Sequence, residues 1–190
     1  MKVKVLVFIS FCLTANLIFA RRSDELRQKA EHGDASAQNK MGDIYCGGNT
    51  PNYEEALKWY RKSAEQGNPL AQVNLGRMYE RGYGLAQNYE EALKWYRKSA
   101  EKGDAAAQYN LGVMYCFGQG VAKNFEEARK WYRKAIEQGD VTAQTGLGAM
   151  YEKGYGMSSN RKTAIEWYRK AAKQGDMAAK RNLERLGARN

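Results

Sequence analysis

Apolar residues recur along much of this chain at i, i+4, i+7 and i+8, the stripe that an amphipathic helix buries. Ala71, Leu75, Met78 and Tyr79 form one stripe, and Gly82 and Gly84 end it. Ala92, Trp95, Tyr96, Ser99 and Ala100 cover the inner face of a second helix, closed by Gly103, where left-handed backbone is needed. Polar signals mark the starts. Asp34, Asn68, Asp104, Asp140 and Asp176 each follow a glycine and can accept from the orphan amides of a first helix. Asn52/Glu55, Asn88/Glu91 and Asn124/Glu127 have the spacing of a capping box at the second. Pro69 suits a first helical position.

The helix pair then repeats. Trp59, Trp95, Trp131 and Trp167 stand 36 residues apart, each opening a Trp-Tyr-Arg-Lys tetrad. Gly33, Gly67, Gly103, Gly139 and Gly175 recur at 34, 36, 36 and 36 residues. A fixed period of this length marks stacked supersecondary units. Three stretches carry a family signature: Ala71-Gln72-Val73-Asn74-Leu75-Gly76, Met78-Tyr79-Glu80-Arg81-Gly82-Tyr83-Gly84, and Asn88-Tyr89-Glu90-Glu91-Ala92-Leu93-Lys94-Trp95-Tyr96. They resemble the Sel-1-like repeat, a relative of the tetratricopeptide repeat, over essentially all of residues 24–186. The resemblance implies an all-α, right-handed superhelical solenoid of about ten helices. Its expected parts are a half-repeat cap at 22–33, repeats at 34–67, 68–103, 104–139 and 140–175, and a capping helix at 176–190. Together they make one solenoid domain, 21–190.

Residues 1–20 stand apart from that pattern. Lys2 and Lys4 precede an uncharged, mostly apolar stretch from Val5 to Phe19, and Ala20 stands before Arg21. The layout is that of a secretory signal peptide cleaved after Ala20, too short for the ~20 residues of a membrane span. The expected location is the periplasm or outside the cell, with no transmembrane span in the mature chain. Removal also takes Cys12, leaving Cys46 and Cys116 in a disulfide-permissive compartment. These two occupy the same position two repeats apart. Units that each advance by two helix diameters of ~10 Å hold them beyond the ~7 Å that a bridge allows, so free thiols are expected.

The repeats provide an internal control, because a catalytic residue should appear once and out of pattern. His32 is the only histidine and stands where other units have Gln66, Lys102, Gln138 and Gln174. It reads as a solvated side chain at a helix end. The cysteine-rich secreted branch of the Sel-1-like family has been described as β-lactamases or penicillin-binding proteins. Ser159-Asn160-Arg161-Lys162 does spell S-x-x-K, but no Ser-Asp-Asn or Lys-Thr-Gly follows, and so loose a match arises by chance. That branch also pairs cysteines where this chain has Ala64/Gln72, Ala100/Gln108, Ile136/Gln144 and Ala172/Lys180. No cofactor, metal site or catalytic residue is expected.

Composition bears on the partner. The chain carries a net charge of +10. Lys58, Arg61 and Lys62 recur as Lys94, Arg97, Lys98 and as Lys130, Arg133, Lys134, all on second helices. Glu54–Lys58–Lys62 and Glu90–Lys94–Lys98 read as i,i+4 ladders on a solvated wall. The competing reading is a basic ridge for anionic envelope components. Nucleic acid is not expected, since the aromatics belong to the core.

The units differ most on the first helix, at i, i+3 and i+7. Lys40, Asp43 and Gly47 correspond to Asn74, Arg77 and Arg81, to Asn110, Val113 and Phe117, and to Gly146, Ala149 and Lys153. The family geometry implies that these trios face a concave groove. The functional expectation is therefore an exported, non-enzymatic scaffold that binds a peptide or protein segment there.

Overall fold

The computed structural model describes residues 21–188. The expected signal peptide lies outside the described residues, as do the last two residues of the expected C-terminal cap. Helix α1 covers 21–31. It is followed by α2 (Ala35–Cys46), α3 (Tyr53–Glu65), α4 (Pro69–Arg81), α5 (Tyr89–Ala100), α6 (Ala105–Phe117), α7 (Phe125–Glu137), α8 (Val141–Lys153), α9 (Arg161–Lys173) and α10 (Met177–Arg185). No strand occurs among the described residues. The fold is an all-α repeat. Two compact units divide it between Asn68 and Pro69, the first ending with α3 and the second holding α4 to α10.

The caps explain the helix starts. Asp34, Asp104, Asp140 and Asp176 accept from the amide three residues on, at 2.6–2.8 Å. Asn52, Asn88, Asn124 and Asn160 do the same for the second helices. The expected capping box is only half made. The Asn amides donate instead to the carbonyls of Tyr45, Tyr79, Tyr115 and Tyr151, at 2.8–2.9 Å. With the cap amide taken, Glu55, Glu91 and Glu127 turn outward to Lys58, Lys94 and Lys130. The same amide–carbonyl bond ties the start of each second helix to the end of the first.

Within each hairpin one steric fit recurs. A Cβ placed at Gly42, Gly76, Gly112 or Gly148 would come within 2.4–2.8 Å of the ring of Tyr60, Tyr96, Tyr132 or Tyr168. The glycine thus lets the second-helix tyrosine lie flat on the first-helix backbone, where all four rings are buried. In the first two hairpins Ser63 and Ser99, fully buried, donate to the carbonyls of Ala35 and Pro69. The indoles are less buried than the sequence suggests. Trp59, Trp95 and Trp167 are half-exposed and Trp131 alone is buried, so tyrosine, leucine, methionine and alanine carry the core.

In the second unit each second helix packs on the next first helix, α5 on α6, α7 on α8 and α9 on α10. Ala92, Tyr96, Ala107, Leu111, Met114 and Trp131 form one continuous cluster across α5, α6 and α7. A loop glycine locks the stacking: Gly120, at φ +66°, has no room for a Cβ, which would lie 2.5 Å from the Tyr89 backbone. Helix α6 also meets α8.

Candidate functional site

The two sides of the hairpins use their charges differently. On the second helices, Lys58, Lys94 and Lys130 pair with Glu55, Glu91 and Glu127, three residues back rather than the expected four. Lys62, Lys98, Lys134 and Lys170 lie over the rings of Trp59, Trp95, Trp131 and Trp167, 4.0–4.8 Å from the centroids. Each stem covers a half-exposed indole while the ammonium stays wet, a cation–π contact. Arg97 donates to the Tyr115 hydroxyl. Arg133 and Arg169 make no ion pair or hydrogen bond among the described residues. Most of this ridge is occupied from within.

The first helices of the second unit differ. Arg77 and Arg81 are exposed on one face of α4. Arg77 has no ion pair or hydrogen bond among the described residues. Arg81 reaches Glu80 only at 3.9 Å, and that carboxylate already accepts from the Tyr96 hydroxyl at 2.6 Å. At the matching positions of α6 stand half-buried Val113 and Phe117, which is 53% exposed. Phe117 meets Tyr155 edge-on at 6.4 Å, and Tyr155 stacks on Phe125 at 5.2 Å. Helix α8 presents half-buried Ala149 and exposed Lys153, which lies 3.6 Å from Glu152. Asn74 and Asn110 are half-buried at the head of their trios. The aromatic partner of Phe117 was hidden in the sequence because Tyr155 belongs to the next hairpin and sits in the turn after α8, off the first-helix face.

Other expected positions serve the fold. Lys40 is exposed on α2 in the first unit, but Asp43 beside it accepts from the Tyr60 hydroxyl at 2.7 Å and from Asn39. Glu80 and Glu152 perform that task for Tyr96 and Tyr168 in the second unit. Gly47 caps α2, and Gly146 lies against the Tyr132 ring, where a Cβ would approach to 3.1 Å. A position that varies between repeats is therefore not always a position free to read a partner.

The titratable groups follow their surroundings. Burial first, then the bond to a carboxylate, raises the phenols of Tyr60, Tyr96 and Tyr168 far above their ordinary value. Hydrogen bonds from Arg185 first and then Tyr168 hold the Glu152 carboxyl below the usual range, against the opposing effect of burial. Burial raises Asp140, against the hydrogen bonds from the Ala143 and Thr142 amides, and the charges of Asp104 and Asp176 add to the rise.

No group suited to a metal ion occurs among the described residues. His32 is exposed, its Nδ1 2.7 Å from the Gln28 carbonyl. Ser159 is exposed just before the Asn160 cap, with Lys162 exposed in the first turn of α9. Neither Cys46 nor Cys116 is in a disulfide, and burial pushes the Cys116 thiol up, away from the reactive thiolate. No helix among the described residues is long and apolar enough to cross a membrane.

The family model for the Sel1 repeat matches at residues 35–68, 69–104, 105–140 and 141–176. Among solved structures, a protective antigen present in uropathogenic Escherichia coli strains and displaying an SLR fold is 43% identical, with a TM-score of 0.75. The match covers 82% of this chain and 34% of that one. A Sel1 repeat protein from Oxalobacter formigenes is 36% identical, with a TM-score of 0.72, over 77% of this chain and 61% of that one. The chain thus spans about a third of the first relative's length and less than two thirds of the second's. Helicobacter pylori cysteine rich protein B, 21% identical with a TM-score of 0.52 over 63% of this chain and 92% of that one, shares the fold. No curated protein matches. Four matched repeats, each opening at the alanine, proline or valine that follows an Asp or Asn, place this chain in the Sel1 repeat family.

Proposed function

We propose that this protein is an exported, non-enzymatic scaffold that binds a peptide or protein segment along its first helices. Sel1 repeats are a typical protein–protein interaction fold, and the finer reading rests on one observation. The first helices α4, α6 and α8 carry exposed side chains that differ from repeat to repeat, Arg77 and Arg81, then Phe117, then Lys153, on a scaffold whose buried contacts repeat. Repetition conserves what the fold needs; variation at exposed positions is where recognition can be written. Export rests on the signal-peptide layout of residues 1–20, and a protective antigen among the relatives fits a protein that leaves the cytoplasm.

Panning a random peptide library on the purified protein tests the binding reading. Enriched peptides should bind tenfold or more weakly to an Arg77→Ala/Phe117→Ala variant that keeps its helical circular dichroism. No enrichment, or enrichment indifferent to that variant, would retire the reading. N-terminal sequencing of the protein from a periplasmic extract should begin at Arg21, and an uncleaved chain in the cytoplasm would refute export.

A further inference from the structure

The exposed side chains of the first helices in the second unit are chemically graded, and the grading constrains the ligand. Helix α4 contributes two exposed guanidiniums, Arg77 without an internal partner and Arg81 with only a distant, already committed carboxylate. Helix α6, the first helix of the following hairpin, offers the exposed ring of Phe117 at the position of Arg81, braced by Tyr155. The cap carboxylates of Asp104 and Asp140 lie at the other, N-terminal ends of α6 and α8, bonded to their own helix amides. Cationic and apolar groups thus gather toward the C-terminal halves of these helices, and the acids at the opposite end would repel an anion placed there.

Spacing narrows the ligand further. Residues four apart on a helix face have Cβ atoms roughly 5–6 Å apart. An extended chain rises about 3.3 Å per residue, so its alternate side chains stand about 6.6 Å apart on one side. Two acidic residues separated by one other therefore match Arg77 and Arg81, and each can receive a forked, charge-assisted pair. Phe117 stands on a different helix from Arg77 and Arg81, so a residue that reaches it lies beyond the two carboxylates and off the line they follow along α4.

Resting on the scaffold reading above, we propose that the partner segment is acidic, with two carboxylate side chains at alternate positions held by Arg77 and Arg81 and, past a bend in the segment, an aromatic or large aliphatic residue that packs against Phe117. The remaining ridge cations do not compete on equal terms, because the second-helix lysines are occupied by Glu55, Glu91 and Glu127 or by the tryptophan rings. Arg133 and Arg169 supply the built-in control: unpartnered arginines on the other face, with no graded apolar neighbour of this kind.

Fluorescence anisotropy with the purified full chain tests the proposal. The probe is a fluorescein-labelled twelve-residue peptide of glycine and serine carrying Glu-Ser-Glu with Phe three residues on. Two further peptides replace both Glu by Gln, or the Phe by Ser. The parent probe should bind at least tenfold more tightly than the Gln peptide and at least threefold more tightly than the Ser peptide. The Arg77→Ala/Arg81→Ala variant should lose that tenfold preference, and Phe117→Ala should remove the discrimination between Phe and Ser. Arg133→Ala/Arg169→Ala should leave the parent probe's affinity unchanged. All these positions are exposed, and matching thermal melts establish that each variant is folded.

Equal binding of the Glu and Gln peptides overturns the proposal, as does equal weakening by the first-helix and second-helix arginine pairs, which would reduce the effect to net charge. A single-stranded oligonucleotide of equal charge that binds as tightly through Arg77 and Arg81 overturns it in favour of phosphate. Library-selected peptides that are not acidic but still depend on Phe117 would sink the acidic partner and leave the scaffold reading intact.

Discussion

Hairpins α4–α5 and α6–α7 share a backbone plan and solve the same polar problem in opposite ways. In both, a tyrosine from the second helix lies over a glycine of the first, Tyr96 over Gly76 and Tyr132 over Gly112, and both rings are buried. In α4–α5 the phenol donates to Glu80 at 2.6 Å. In α6–α7 the residue at Glu80's position is Cys116, a buried thiol with no carboxylate to offer. The ring keeps its place regardless, wedged against Tyr109 at 5.8 Å and against Gly146. The steric fit is therefore the part the repeat cannot lose, while the hydroxyl's partner is negotiable.

The largest effect should come from attacking the shared steric element. Even a methyl at Gly112 would lie 2.5 Å from the Tyr132 ring, which is confined by Tyr109 and Gly146 and cannot swing aside. Gly112→Val should therefore cost near the top of the ~1–3 kcal/mol range for overpacking, despite the gain from replacing a helical glycine. A urea titration checks it. An unchanged midpoint would mean that the hairpin yields where the fit implies it cannot.

The next experiment separates the two hairpins. Tyr96→Phe removes a hydrogen bond to a carboxylate and leaves Glu80 without its donor; a loss of about 1.5 kcal/mol is expected. Tyr132→Phe removes a hydroxyl that has no carboxylate partner and should change stability by less than ~0.5 kcal/mol. Equal losses from the two substitutions would erase the distinction between these hairpins.

How far the sequence revealed this molecule depends on whether a feature is periodic. The helix starts were legible because a cap needs one side chain at one spacing, and Asp104 and Asn124 fill those places as read. The capping box failed because its second half depends on a competitor distant in sequence, the Tyr115 carbonyl that takes the Asn124 amide. The i,i+4 ladder is displaced for a related reason: with Glu91 turned outward, Lys94 pairs with it three residues back, and Glu90 adds only a weaker attraction. Tryptophan looked like the core because it is a large aromatic that recurs every 36 residues, yet the lysine three residues later can cover it from outside. On the first helices, Arg77 and Phe117 were legible as departures from the pattern. Asp43 misled because its role, receiving the Tyr60 hydroxyl, passes to the residue three positions later in other repeats.

At the C-terminal end, hairpin α8–α9 adds a guanidinium to the tyrosine–carboxylate pair. Glu152, 10% exposed, accepts from Tyr168 at 2.9 Å and from Arg185 of α10 at 2.7 Å. Its carboxyl is depressed when folded, so its contribution is fully present above the ordinary value of about 4.3 and is lost as pH falls through the folded value. Wild type should therefore lose melting temperature between pH 5 and pH 3 faster than Glu152→Gln does, while the variant melts lower at pH 7. Parallel pH profiles would remove Glu152 from the docking of α10.

The smallest change is expected on the ridge, and its smallness is informative. Lys94 lies 2.6 Å from Glu91, but its side chain is 64% exposed, so water screens the attraction and ordering two flexible chains offsets much of the rest. Lys94→Ala should leave the urea midpoint nearly unchanged, as expected for a single exposed helix-surface pair. The substitution also frees Glu91 and lowers the positive charge of the second helices. If the acidic probe is held by Arg77 and Arg81, its affinity should not move beyond the weak long-range loss that salt abolishes. A several-fold loss that persists at high salt would show the ridge in direct contact with the probe, and the division between internally satisfied second helices and open first helices would not hold.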